Sequence, residues 1–140
     1  MINVPILTEL GCRRPPIGIA RTHQKVPVPI LNKAECLGPD GAVALVTQTL
    51  RMISGRWKLP ILFRLYADPA MRSSQLLRDI PGISHKMLTQ HLRELEHDCL
   101  IDRIDFGEQP PHVEYRLTAK GHELMPVLMA ARQFSENHHT

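Results

Sequence analysis

Between Pro81 and Cys99 the chain reads PGISHKMLTQHLRELEHDC. Leu88, Leu92 and Leu95 recur at spacings of four and three, which places them on one side of an α-helix. Ser84 stands where an N-cap belongs, just after a Pro-Gly turn. The spacing predicts a helix over about 85–98. Lys86, Gln90, Arg93 and His97 fall opposite the leucines, with His85 and Thr89 to the side. One side of this helix is built to hold it to a core, the other to present hydrogen-bonding and basic groups.

Two segments of alternating character follow, LIDRIDF (100–106) and HVEYRLT (112–118), joined by GEQPP. Val113, Tyr115 and Leu117 share one face, Glu114 and Arg116 the other, as expected of a half-buried strand. The connection is too long for a two-residue turn, so a hairpin with an extended tip is predicted. Thr118 can then cap a last helix from Ala119, with Leu124, Leu128, Ala131 and Phe134 as its apolar stripe and Pro126 as a possible kink.

Upstream, Ala44, Leu45, Gln48, Thr49, Met52 and Ile53 predict a helix from Ala42, closed by Ser54-Gly55. Arg56–Tyr66 predicts a second helix, with Pro60 near its first turn, where a missing N–H is tolerated. After Asp68-Pro69, Ser73 or Ser74 is expected to cap a short third helix over Gln75–Asp79. Residues 1–41 differ in kind. Six prolines and four glycines there forbid a long helix and favour an extended arm, with VPVPIL an edge strand or polyproline segment. The expected organisation is an arm over 1–41, extended or partly ordered, and a single domain over 42–140.

A short helix, a turn and a capped amphipathic helix make a helix-turn-helix, and a following hairpin makes it winged. The fold class expected is mainly α (α+β). The charge distribution fits that reading. The chain carries a net +3, yet residues 51–93 hold eight basic and two acidic side chains, whereas 94–140 hold four and nine. A local positive patch is what a phosphate backbone attracts. An α-helix fits the major groove and reads bases with its N-terminal half. His85, Lys86, Thr89 and Gln90 are therefore the candidate base readers. Ser84, Arg72, Arg93, Arg103 and Arg116 are the candidate phosphate contacts. The wing tip, Phe106–His112, carries Glu108 and no Lys or Arg.

Three segments, RMISGRWKLPILFRL, PGISHKMLTQHLRELEHDCLIDR and PPHVEYRLTAKGHELMPVL, closely resemble the HxlR-type winged helix-turn-helix regulators of bacteria, a MarR-like group. The resemblance covers roughly residues 44–135 in uninterrupted register. It implies a DNA-binding homodimer with interface helices at both ends of the domain and a pseudo-palindromic operator. Leu45, Leu124, Met125, Leu128 and Met129 are the expected interface residues, since the last four are more apolar surface than a lone terminal helix needs. Repression is expected rather than activation. Many members carry a cysteine thirteen residues before the tryptophan, where this chain has Ala44. Many have glycine where this chain has Cys99, a position that often needs a left-handed backbone.

Other functions are constrained by what the sequence contains. Three cysteines, Cys12, Cys36 and Cys99, make no disulfide framework and read as reduced thiols, with Cys36 or Cys99 the candidates for redox sensing. His85, His91 and His97 step by six residues, so they turn away from one another and cannot share a metal. No phosphate loop or nucleophile elbow appears, and neither catalysis, metal nor cofactor is expected. Met52, Trp57, Tyr66 and Phe134 are the candidate lining of a cleft for an unknown small effector. No apolar run is long enough to span a bilayer and no signal segment is visible, so a cytoplasmic location is expected. The arm, through Arg13, Arg14, Arg21 and Lys25, is read as a dimer strap or a DNA contact. The rival to DNA binding is a degenerate winged helix that binds a protein partner.

Overall fold

Local signals account for most of the observed elements. The computed structural model describes residues 29–139. In chain order they form α1 (Lys33–Leu37), α2 (Ala42–Met52), α3 (Lys58–Ala67), α4 (Ser73–Asp79), α5 (His85–His97), β1 (Ile101–Asp105), β2 (Val113–Leu117) and α6 (Ala119–His138). Helices α4 and α5 with the turn between them are the helix-turn-helix; β1 and β2 are the wing. The fold is a winged helix-turn-helix.

Helix α1, five residues long, lies within the arm over 1–41 that was expected to be extended or partly ordered. Asn32 Oδ1 accepts from the Glu35 N–H (2.9 Å) while Glu35 Oε2 accepts from the Asn32 N–H (2.8 Å). This reciprocal capping box satisfies two orphan donors and is enough to start a short helix between prolines. Residues 1–28, with Cys12, Arg13, Arg14, Arg21 and Lys25, lie outside the described residues.

Helix α3 starts at Lys58, two residues later than the periodicity suggests, because Trp57 takes the N-cap position. Its indole is buried under the α4–α5 turn. Helix α4 begins at Ser73, so neither serine caps it. The N-cap is Arg72, whose N–H is taken by Gln75 Oε1 at 2.8 Å. The entry is set from outside the helix: Met71 exchanges both backbone hydrogen bonds with Tyr115, 3.0 and 2.7 Å, as a short third edge on the wing.

Ser84 Oγ accepts from the Met87 N–H at 3.2 Å and opens α5. Leu88, Leu92 and Leu95 are almost fully buried, in one core with Ile61, Leu62 and Leu65 of α3 and Leu76 of α4. Each such side chain stabilises the fold by about 1.5–3 kcal/mol. The helix ends in a Schellman motif: the Leu100 N–H reaches Leu95 O and the Cys99 N–H reaches Glu96 O, both 3.0 Å. Cys99 occupies the left-handed position at φ 61°.

The antiparallel wing pairs Ile101 with Leu117, Asp102 with Arg116, Arg103 with Tyr115 and Asp105 with Val113. Thr118 closes the return. Its hydroxyl donates to the Cys99 carbonyl and accepts the Gly121 N–H, tying the end of α5 to the start of α6. Helix α6 continues through Pro126 to His138. No helix of the described residues is long and apolar enough to cross a membrane.

Candidate nucleic-acid interface

The interface is built outward from the leucine side of α5. With that side held by the core, Lys86, Gln90, Arg93 and His97 are exposed along the opposite face, and Ser84 and His85 are exposed at its N-terminal end. Thr89 is half-buried. Its hydroxyl donates to the His85 carbonyl at 2.9 Å, so it can only accept from a base.

Gln90 is engaged too. Its Nε2 donates to Glu94 Oε1 at 3.3 Å. Glu94 Oε2 also receives His91 Nδ1 at 3.3 Å and Lys58 Nζ at 3.1 Å. The Lys58 hydrogen bond, followed by that of Gln90, holds the Glu94 carboxyl below its ordinary range. Lys58 is the buried charge of the domain, 8% exposed at the first residue of α3. Burial and the positive helix N-terminus both disfavour a cation there, and Glu94 is the charge that offsets them. Sequence reasoning missed this pair. The signal was only an acidic residue one turn beyond Gln90 on the outward side of the helix.

The basic segment 51–93 divides in space. Lys58 is spent on Glu94. Arg64 Nη2 bridges Asp68 (2.7 Å) and Asp79 (2.8 Å), locking the C-terminal ends of α3 and α4 together. Those two carboxylates, Asp79 first, push the Arg64 pKa further up. Arg72, Arg78, Lys86 and Arg93 are exposed and form no ion pair among the described residues. Arg56 stacks on the Trp57 ring at 4.6 Å and borders the same groove as Ile80 and Pro81, the residues leading into α5. On the wing, Arg103 and Arg116 each have an acid within 4.0 Å, Asp105 and Asp102 respectively. At the tip His112 lies between Glu108 and Glu114 and against the Phe106 ring.

Two expected groupings do not form. Leu124, Met125 and Leu128 are buried in this protomer's own core, and Met129 is half-buried. They are consumed by the domain because α6 lies back across α3 and the wing. The exposed apolar side chains of α6 are instead Val127 and Phe134. On α2, which buries no residue, Val43, Leu45, Val46 and Leu50 are all more than half exposed. The second grouping is the cleft of Met52, Trp57, Tyr66 and Phe134. Trp57 and Met52 pack in or on the core, Tyr66 faces His122, and Phe134 is 67% exposed beside His138. The apolar groove of about 470 Å³ beside Trp57 is lined by Pro60, Phe63 and Pro81, and of the four expected residues only Trp57 borders it.

Among the cysteines, Cys36 in α1 is a half-buried free thiol. Cys99 is disulfide-bonded, which departs from the expectation of reduced thiols throughout. No group of three or more potential metal ligands occurs among the described residues.

A helix-turn-helix with an exposed polar α5 and a wing matches known proteins in both sequence and shape. The profile of the HxlR-like helix-turn-helix family matches residues 52–140. The chain belongs to that family. Among its relatives, the HTH-type transcriptional regulator YtcD of Bacillus subtilis is 44% identical over 93 residues, 66% of this chain and 73% of that one. The regulator YybR of the same organism is 39% identical over 107 residues, 76% and 85% of the two chains. The crystal structure of YtcD superposes with a TM-score of 0.61 at 45% identity, covering 67% of this chain and 95% of that chain. The redox regulator HypR in its reduced form gives 0.62 at 35% identity, with 66% and 91% covered. As an HxlR-like protein the chain is a helix-turn-helix transcriptional regulator whose partner is DNA. Its relatives are regulators, not enzymes.

Proposed function

We propose that this HxlR-like regulator binds a pseudo-palindromic operator as a homodimer and represses transcription from it. The observation that carries the reading is the exposed face of α5. Lys86, Gln90 and Arg93 lie one turn apart on it, opposite a leucine side wholly committed to the core. In this reading α5 enters the major groove. Lys86, Gln90 and His85 meet base edges, while Thr89 supplies an acceptor. Arg93, Arg72 and Ser84 hold phosphates. Arg103 and Arg116 contribute less than free arginines, because Asp105 and Asp102 already neutralise them.

The dimer rests on α2. Val43, Val46 and Leu50 stand at i, i+3 and i+7, one apolar stripe whose side chains are each more than half exposed. A second copy related by a two-fold axis would cover it, together with Leu45, Met129, Val127 and Phe134. A dimer seated on its operator excludes other proteins from the same DNA, which favours repression.

The test is selection of bound sequences from randomised DNA with the full chain. Two related half-sites about one helical turn apart are expected. Recovery of no common sequence would sink the reading in favour of a protein-binding winged helix. A second reading, thiol control of the same regulator through Cys36 or Cys99, is favoured by the likeness to HypR. It predicts that mild oxidant changes operator affinity, and a Cys36→Ser chain with unaltered oxidant response would exclude Cys36.

A further inference from the structure

An acidic side chain on a DNA-facing helix needs a reason, and Glu94 has one on its inner side. Its carboxylate sits between a buried ammonium, Lys58, and the exposed amide of Gln90. A carboxylate only accepts, so it fixes which way the Gln90 amide points. The NH2 group turns to Glu94 and the carbonyl oxygen turns outward. One N–H and the oxygen remain available, the donor–acceptor pair that a glutamine uses on the N7 and N6 edge of adenine. Freed from Glu94, the amide can flip or swing, and that ordering is lost. The carboxylate itself is kept in place and neutralised by Lys58, whose own side chain is 10% exposed and held by α3 packing.

We propose that Lys58 is a positioning residue for operator specificity: its ion pair with Glu94 orients the Gln90 amide and so sets the base preferred at one position of each half-site. The inference rests on the reading of α5 as the recognition helix. Lys58 touches no DNA. It acts through Glu94, whose carboxylate it meets at 3.1 Å from the first residue of α3.

The experiment uses full-length protein and the wild-type operator obtained by selection. Wild type, Gln90→Ala, Lys58→Met, Glu94→Ala and the double variant Lys58→Met/Gln90→Ala are each titrated against the operator and all single-base changes of one half-site. Gln90→Ala should lose roughly ten-fold discrimination at one position. Lys58→Met and Glu94→Ala should relax that same position, and the double variant should relax it no further than Gln90→Ala alone. Lys58→Arg should retain the preference. The slope of affinity against salt should not change in Lys58→Met, since no phosphate contact is lost. If burial makes Lys58→Met unfold, Glu94→Ala, at a side chain 41% exposed, carries the test. A uniform fall in affinity with the wild-type preference intact, in Lys58→Met or Glu94→Ala, overturns the proposal. So does a Gln90→Ala chain with unchanged preference, and in that case the operator reading stands without it. Failure of the wild type to select any operator overturns both.

Discussion

Gly121 lies directly against the backbone carbonyl of Leu100: a methyl group at its Cα would come within 2.2 Å of that oxygen. The carbonyl cannot yield, because it also accepts the Thr118 N–H at 3.0 Å at the start of the wing return. Gly121→Ala must therefore push α6 off the α5–β1 junction. Overpacking of this kind costs about 1–3 kcal/mol. A drop in Tm of roughly 10 °C is expected in a thermal melt, and an unchanged Tm would show that the helix can slide without penalty.

Cys99 holds the left-handed position of the α5 Schellman motif at φ 61°. A side chain with a Cβ pays about 1–2 kcal/mol there, which glycine avoids. In reducing buffer, Cys99→Gly should raise the denaturation midpoint by an amount equivalent to about 1 kcal/mol. A lower midpoint would mean that the cysteine side chain contributes more than its backbone costs.

The exposed stripe of α2 separates folding from assembly. None of its residues is buried in the protomer, so Val46→Glu should leave the melt nearly unchanged, within about 0.5 kcal/mol as for surface substitutions. It should convert the dimer to a monomer in sedimentation and weaken operator binding. A dimer that survives Val46→Glu would place the two-fold contact elsewhere.

Binding strength and sequence preference should respond to different arginines and lysines. Arg93→Ala is expected to weaken all DNA sequences alike and lower the salt slope by about 1. Lys86→Ala with Gln90→Ala should abolish preference for the operator and leave the dimer intact. Gel-shift titrations on operator and scrambled DNA read both.

The Glu94 carboxyl is held below the ordinary glutamate value of 4.5 by Lys58. A depressed folded-state pKa contributes stability above the unfolded value, and that contribution disappears as pH falls through the folded one. The stability difference between wild type and Glu94→Gln should thus be constant near neutrality and shrink below about pH 4.5. A difference that does not vary down to pH 3 would contradict the ion pair.

Much of the frame was readable residue by residue. The leucine spacing of α5, the caps at Ser84 and Thr118, and the alternation of the wing are local signals, and a local signal survives packing when the core accepts it. The Asn32/Glu35 capping box was equally local and shows why prolines alone do not make an arm extended. Other features were not legible. The start of α4 depends on Met71 pairing with Tyr115, forty-four residues away in sequence. The periodicity of α6 identifies an apolar stripe but not its owner, and Leu124, Met125 and Leu128 went to the protomer's own core. Net charge on 51–93 does not say which cations are spent internally.

Periodicity and capping chemistry alone therefore determine that this chain makes a winged helix-turn-helix with one exposed polar face on α5, because both act within a few residues of the backbone they order. Tertiary structure alone decides which groups on that face are free. Lys58 meets Glu94 across two helices, Arg64 is spent on Asp68 and Asp79, and Val43, Leu45, Val46 and Leu50 of α2 are left exposed while Leu124, Met125 and Leu128 of α6 are buried. Those outcomes depend on which surfaces meet when the helices pack, and burial of charge and apolar area is settled only there.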